Sequence, residues 1–599
     1  MTRSLVAALL VFEVLVRGSA VSAQEHAPRA AFHQRFLELA TRAAMSDSAR
    51  LHALFALDWE YTNVESPEMA TFTGYPGQDD RWTDHSIAAL ARRRRELADR
   101  LTVLRAIDRG RLGAADRLSY DIFARGAREN LDGARFPSEL LAVTQLDGPQ
   151  YMSNVIARMH TGSPADYERI VARLATLPEL LRQLQILLDS GASIGVTPPR
   201  VTLRGVPAQL EGLVPEDPMR SPLLAPFEQF PASIASADRA RIANAALRVY
   251  TDSVRPAYRR FAAYVRERYI PRARASIAWS ALPDGRAWYA YLVRVATTTD
   301  RTPAQLHQLG LDEVNRLRGE MERAMRETGY RGDLASFTVM LHADRRFHLP
   351  DSASLVHRYR EIVARIEPEL PKLFGRLPRL PLVVEAVPSH VAASQAAAYY
   401  VSGSPDAHRP GTFYVNTSLL DTRATWEMEA LTAHEAVPGH HLQISLSEEL
   451  TGLPEFRRYE GFTAFTEGWA LYAERLGYEL GLYRDPYSRF GQLSYEMWRA
   501  IRLVLDTGIH DEGWTREQAV AYFVANSAKS RSEIESEVDR YLANPAQALT
   551  YETGALTIRA LRADAERRLG PRFDIRAFHD RLLGAGAIPI DLLEERMRF

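Results

Sequence analysis

The chain of 599 residues contains no cysteine and only two lysines, Lys372 and Lys529. Without thiols there are no disulfides and no thiolate ligands, so any transition-metal site must be built from histidine and carboxylate. Net charge is missing as well: 74 basic against 75 acidic residues leave −1, which argues against nucleic acid or an anionic membrane as partner. Long apolar runs are scarce. The run from Leu5 to Val16 is interrupted by Glu13 and is too short for a comfortable membrane span. It follows Arg3 and precedes Val21-Ser22-Ala23. A basic start, a short apolar stretch and a small-residue exit predict a secretory signal over residues 1–23, cleaved near Ala23. The mature protein is then expected in the periplasm or outside the cell, with no transmembrane span.

What the sequence does have is helix. Ser86–Ile107, Pro164–Leu188, Ala237–Arg266 and Pro303–Thr328 are rich in Ala, Leu, Arg and Glu, with apolar residues at three-to-four spacing. Ser46 and Asp47 are placed to cap one helix, and Thr302 with Pro303 to open another. The charge run Arg92 to Arg95 reads as a solvated helix face. Strand signals are few: Leu380–Val387 and Gly411–Thr417 are short, β-rich and bounded by turn residues. Pro-rich connections lie at 196–200, 215–231 and 387–410. The expectation is a mainly α-helical protein with a small sheet just before residue 434. Its expected parts are an N-terminal helical lobe (24–210), a helical middle region (211–380) and a catalytic region (381–599).

Chemistry concentrates in His434-Glu435-Ala436-Val437-Pro438-Gly439-His440-His441. A zinc hydrolase needs three protein ligands, an open position and a carboxylate to take a proton from water. The usual helical solution, H-E-x-x-H, puts two histidines four apart on one face. Here the fifth position is Pro438, and the next histidines come six and seven residues after His434. On an unbroken helix six residues turn through about 600°, so His440 points away; seven return His441 to within about 20°, but about 10.5 Å further along. Neither spacing chelates one ion from a straight helix. Pro438 breaks the ladder and Gly439 frees the next dihedrals, so a break there brings His440 back toward His434. His441 stays open as the alternative. A third ligand is supplied downstream by Glu467, in the helical stretch Thr463–Glu474. Glu474, two turns further along the same face, reads equally as an orienting partner for a ligand histidine or as an ordinary surface carboxylate.

These residues resemble a bacterial family known as domain of unknown function 885. The matches are Arg409–Asn416, His434–Gln443, Phe465–Glu474, Arg502–His510, Pro545–Tyr551, Arg572–His579 and Gly584–Asp591, with weaker likeness back to about residue 30. The resemblance implies a large helical, gluzincin-like metallopeptidase fold with a cleft, in secreted proteins or lipoproteins. By that likeness one Zn2+ is held by His434, His440 and Glu467, with Glu435 as the base. Lipoprotein members carry an anchoring cysteine, which this chain lacks.

Tyr551 and His510, in family-like segments beyond the ligands, are candidate catalytic donors to an oxyanion. Arg502, Asp506 and His510 fall at four-residue steps on a predicted helix, where an ion pair between the first two is the plainer reading. Gly411–Thr417 is a candidate strand edge for pairing with a substrate backbone, which would place Tyr414 at substrate. Arg409 is placed to hold a substrate carboxylate and Arg502 is a further substrate contact. The function expected is zinc-dependent hydrolysis of short peptides. An amidase or esterase on the same site, and a non-catalytic binding protein that keeps the fold, are the rivals.

Overall fold

The computed structural model describes residues 31–392, 396–403 and 409–598; the signal expected over residues 1–23 lies outside them. The chain is mainly α-helical, and its described residues hold one sheet of three short strands. No helix among them is long and apolar enough to cross a membrane. Two compact units result. The first runs to Ile277 and takes in Pro454–Tyr459; the second holds Ala278–Leu453 and the chain from Glu460 onward. The division thus falls at Ile277 rather than near 210 or 380. Residue 210 sits inside the helix Val206–Gly212, and Val206 and Leu210 share a core with Leu184 and Tyr258. Parting the chain there would expose that apolar surface.

In the first unit the sequence signals act locally as expected. Ser46 caps Asp47–Glu65, its side chain accepting from the Ala49 N–H, and Ser86 does the same for Ile87–Arg105. Pro164–Leu188, expected as one helix, is two: Pro164–Ala175 and Leu177–Ser193. Pro178 has no N–H to continue the first ladder, so the second helix begins with it in its first turn. The run Arg92–Arg95 is not a uniformly solvated face. Arg93 is 5% exposed and donates to Glu65 at 3.2 Å and to the Asp84 carbonyl at 2.7 Å. Arg92 bridges Glu65 and Glu96 at 2.6 and 2.9 Å. A buried guanidinium needs partners, and for the two terminal nitrogens of Arg93 these are the Glu65 carboxylate and the Asp84 carbonyl. Pro454–Tyr459 joins this unit through Phe456, whose ring lies 4.8 Å from Phe55 and 5.4 Å from Phe123.

The second unit is built on long helices. Pro303–Glu327 (α1) opens with Thr302 and Gln305 in a capping box. Ser352–Ile366 (α2) precedes the strands Leu382–Ala386 (β1), Ala398–Val401 (β2) and Gly411–Val415 (β3). Then come Met428–Glu435 (α3), His440–Glu448 (α4), Thr463–Leu476 (α5) and Pro486–His510 (α6). Arg531–Ala543 (α7) and Thr550–Leu569 (α8) follow. α1 packs along α6, α5 along α8, and α3 against both α5 and α6. Gly468 of α5 and Gly554 of α8 meet backbone to backbone: a Cβ on Gly468 would stand 2.5 Å from the Gly554 Cα.

The strand order is β1-β3-β2. β3 runs parallel to β1, with Leu382 opposite Gly411, and antiparallel to β2, with Tyr399 opposite Tyr414. β3 is therefore the central strand and both of its edges are taken. This corrects the expectation that Gly411–Thr417 offers a free edge to a substrate. β2, the strand that sequence patterning overlooked, is an edge strand among the described residues, as is β1.

Candidate metal centre

α3 stops where the proline demands it. Ala436 leaves helical space (φ −97°, ψ −108°), as does Gly439 (φ −76°, ψ −127°), and α4 restarts at His440. The Val437–Pro438 peptide is cis. Two bonds hold the turn: the Trp469 indole N–H donates to the Pro438 carbonyl at 2.9 Å, and the His441 N–H donates to the Ala436 carbonyl at 3.1 Å. Gly439 folds back onto the end of α3 so tightly that a Cβ would lie 1.8 Å from the His434 carbonyl oxygen and 2.4 Å from that of Ala433. Only glycine fits there.

The turn brings two imidazoles onto one carboxylate. The rings of His434 and His440 lie 4.8 Å apart at 86°. Their Nε2 atoms stand 3.5 and 3.6 Å from the same oxygen, Oε2 of Glu467 on α5. Zinc with bonds of about 2.0–2.2 Å in a tetrahedral shell needs ligand atoms about 3.3–3.6 Å apart, and both of these histidine–carboxylate spacings meet that requirement. The other nitrogen of His434, Nδ1, lies 2.8 Å from Glu474 Oε1, the arrangement that fixes a ligand tautomer. Glu474 is fully buried, so it is not a surface carboxylate, and its described side-chain hydrogen bond is to His434. Burial works against charge on His434, yet the carboxylates of Glu467 and Glu474 outweigh it and push its pKa up to about 9. Glu467, although buried, is held well below the usual carboxylate range by the two histidines. Glu435 stays outside the trio. Burial, aided by Glu467, raises its pKa, while His434, His440 and a bond from the Tyr400 N–H oppose the rise.

Residues 67–597 match the family described as "Bacterial protein of unknown function (DUF885)". The chain belongs to that family. The fold of this DUF885 protein is similar to that of a Colwellia psychrerythraea protein provisionally described as a lipoprotein (TM-score 0.85, 27% identity, 92% of this chain and 99% of that one). It is similar also to a Shewanella oneidensis protein, provisionally described as a lipoprotein of unknown function (TM-score 0.76, 19% identity, 92% and 100% covered). No curated protein matches the chain.

The remaining residues singled out in this DUF885 sequence divide. Tyr551, at the start of α8, lies within electrostatic reach of Glu467: burial and then that carboxylate raise its phenol pKa. Arg502 stacks 4.4 Å over the Tyr551 ring and bonds to Tyr541 at 3.1 Å and Glu537 at 3.2 Å. It does not pair with Asp506, which instead accepts from the Tyr289 hydroxyl and the Ala546 N–H. His510 is not brought to the metal trio. It is fully buried, its Nε2 3.0 Å from the Tyr541 carbonyl and its ring against Trp279 and Tyr289. Eight residues separate it from Arg502, about 12 Å along α6, so a shared helix face does not mean a shared site. Tyr414 lies on the face of the sheet opposite His441: it stacks with Tyr399 at 5.3 Å, while the neighbouring Tyr400 turns to His441. Arg409 sits just ahead of β3, its carbonyl against Gly403, and no described contact joins it to the trio. The residue that sequence reading missed is Tyr400, whose backbone N–H donates to Glu435 Oε2 at 3.0 Å. Its signal was the four-residue run Ala-Tyr-Tyr-Val, shorter than an ordinary strand.

Among the described residues, a second group, Glu313, Glu496 and Glu552, also converges within 4.8 Å. Its electrostatics differ. Glu496 accepts from Arg316, Arg559, Arg475 and Gln492, and these arginines hold it down at about 2 despite burial. Four donors leave its oxygens nothing for a cation. Glu552 is fully buried with neither oxygen hydrogen-bonded, and burial with Glu496 and Glu313 lifts its pKa well above the ordinary value. The folded chain thus binds a proton there that the unfolded chain releases at lower pH. Stability contributed by that proton is complete at acid pH and is lost as pH rises toward the raised pKa. Glu552→Gln is therefore expected to gain apparent Tm over wild type at pH 8 and not at pH 5, measured by thermal melts in matched buffers. An equal shift at both pH values counts against the protonated carboxyl.

Proposed function

We propose that this protein is an extracytoplasmic zinc hydrolase that cleaves peptide or peptide-like amide bonds. The observation that carries the proposal is the approach of His434 Nε2 and His440 Nε2 to one oxygen of Glu467, with Glu435 one residue from His434. His434, His440 and Glu467 would hold the zinc ion, which when bound would supply a Lewis acid for water and a carbonyl group. Glu435, adjacent but not among the three converging groups, takes the proton from the attacking water and passes it to the leaving amine. Glu474 holds His434 in the tautomer whose Nε2 is free to bind. The Tyr551 hydroxyl, neighbour to Glu467, is the donor available to a developing oxyanion. Among the described residues β2 has a strand on one side only, and an extended peptide added on the other would lie beside Glu435. The two similar structures described as lipoproteins, and the signal-like N-terminal sequence, support a location outside the cytoplasm.

The test is metal analysis of the purified chain, followed by a panel of short peptides, N-acyl amides and esters. One zinc per chain and turnover of peptides are expected, with both lost in His440→Ala. Metal far below one per chain overturns the reading, and turnover confined to esters overturns the peptide assignment.

A further inference from the structure

His441 is the second histidine of the Pro-Gly-His-His turn, and the metal trio does not use it. It is 3% exposed, and its ring is fully engaged elsewhere. Nδ1 lies 3.1 Å from the Tyr400 hydroxyl and 3.4 Å from Ser445 Oγ on its own helix. The Leu380 carbonyl, just ahead of β1, accepts its other N–H. With one ring N–H given to the Leu380 carbonyl, Nδ1 is the atom that meets the Tyr400 hydroxyl. Both nitrogens are spent within the protein, so His441 has none to offer an ion.

What it joins is informative. One ring connects α4, the lead into β1 and the side chain of β2. Position 411 of β3 has no side chain because this contact fills the space: a Cβ there would lie 2.3 Å from the Tyr400 hydroxyl and 2.6 Å from His441 Nδ1. The same Tyr400 that bonds His441 through its hydroxyl bonds Glu435 through its backbone N–H, at 3.0 Å. Side chain and amide belong to one residue, so wherever the hydroxyl is anchored, the amide is aimed.

We propose that His441 is a positioning residue, which sets the stand of β2 through the Tyr400 hydroxyl and thereby the direction of the Glu435 carboxylate through the Tyr400 N–H. Its catalytic consequence rests on the function proposed above; its structural part does not. Asn at 441 offers an acceptor near the place of Nδ1, whereas Leu offers volume without one. Tyr400→Phe removes only the hydroxyl, and so serves even if His441→Leu folds poorly.

In metal-free protein, amide hydrogen exchange of the peptide covering residues 398–401 is expected to quicken about tenfold in His441→Leu and in Tyr400→Phe, and to stay near wild type in His441→Asn. All three variants should take up zinc as wild type does. On a cleaved peptide, kcat of the Leu and Phe variants should fall about 10²-fold with KM little changed, and the acidic limb of the pH profile should move. Asn should restore both, and the Leu–Phe double variant should be no worse than either single. Unchanged exchange in both Leu and Phe variants overturns the proposal. Zinc loss in both Leu and Asn variants makes His441 a ligand and overturns it too, as does a fall in kcat that follows Tm alone with the pH profile unmoved. If wild type cleaves nothing, the functional reading fails while the exchange comparison still decides this one.

Discussion

Glu435→Gln is expected to keep one zinc ion per chain and to lose about 10³-fold in turnover. The reasons are separable. The three groups that converge on the metal position are His434, His440 and Glu467, none of which the substitution touches. Gln has the shape of Glu and still accepts the Tyr400 N–H through its amide oxygen, so β2 has no cause to move. What disappears is the basic oxygen that, on the proposed function, removes a proton from water and returns it to the leaving amine. Metal analysis beside a peptide assay reads both halves. Unimpaired turnover refutes Glu435 as the base; loss of zinc along with turnover means that Glu435 binds the ion and that base and ligand are not separate groups.

The second large effect belongs to a residue with no side chain. Gly439→Ala would put a methyl 1.8 Å from a backbone oxygen, which cannot rotate aside as a side chain would. The turn has to open, and opening it moves His440 relative to His434. A loss of about 3 kcal/mol or more and zinc content well below one per chain are expected, by thermal melt and metal analysis. Gly319 supplies the contrast: it lies in α1 with nothing within 4 Å of where a Cβ would stand, so Gly319→Ala should be neutral or stabilising by up to about 1 kcal/mol. If Gly439→Ala matches Gly319→Ala in both readouts, the tight turn is not what sets the histidines.

The pairing of His434 with Glu435, the break at Pro438-Gly439 and the carboxylate of Glu467 were legible because each is a local departure from helix rules or a charged group in a strongly helical stretch. The caps at Ser46 and Thr302 were legible for the same reason. What escaped depends on partners distant in sequence. Arg93 reads as one of four solvated arginines until Glu65, 28 residues earlier, is placed beside it. The centrality of β3 follows from β2, four residues long and embedded in what reads as a Pro-rich connection. His510 shares a helix face with Arg502, but helix periodicity carries no information on what covers each turn of that face. Between His440 and His441 the spacing alone did not choose; in the folded chain His440 Nε2 faces Glu467, while His441 Nδ1 faces the Tyr400 hydroxyl.

The contact of Gly468 with Gly554 bears on how the site can change. Glu467 precedes one of these glycines and Tyr551 comes three residues before the other, so the gap between carboxylate and phenol is gauged by two missing side chains. Substitution of most surface arginines leaves that gauge alone. A single methyl at 468 or 554 resets it, spreading α5 from α8 and widening the space beside the metal position in one step. On the proposed function, these two positions set the room beside Glu467 without altering His434, Glu435, His440 or Glu467 themselves.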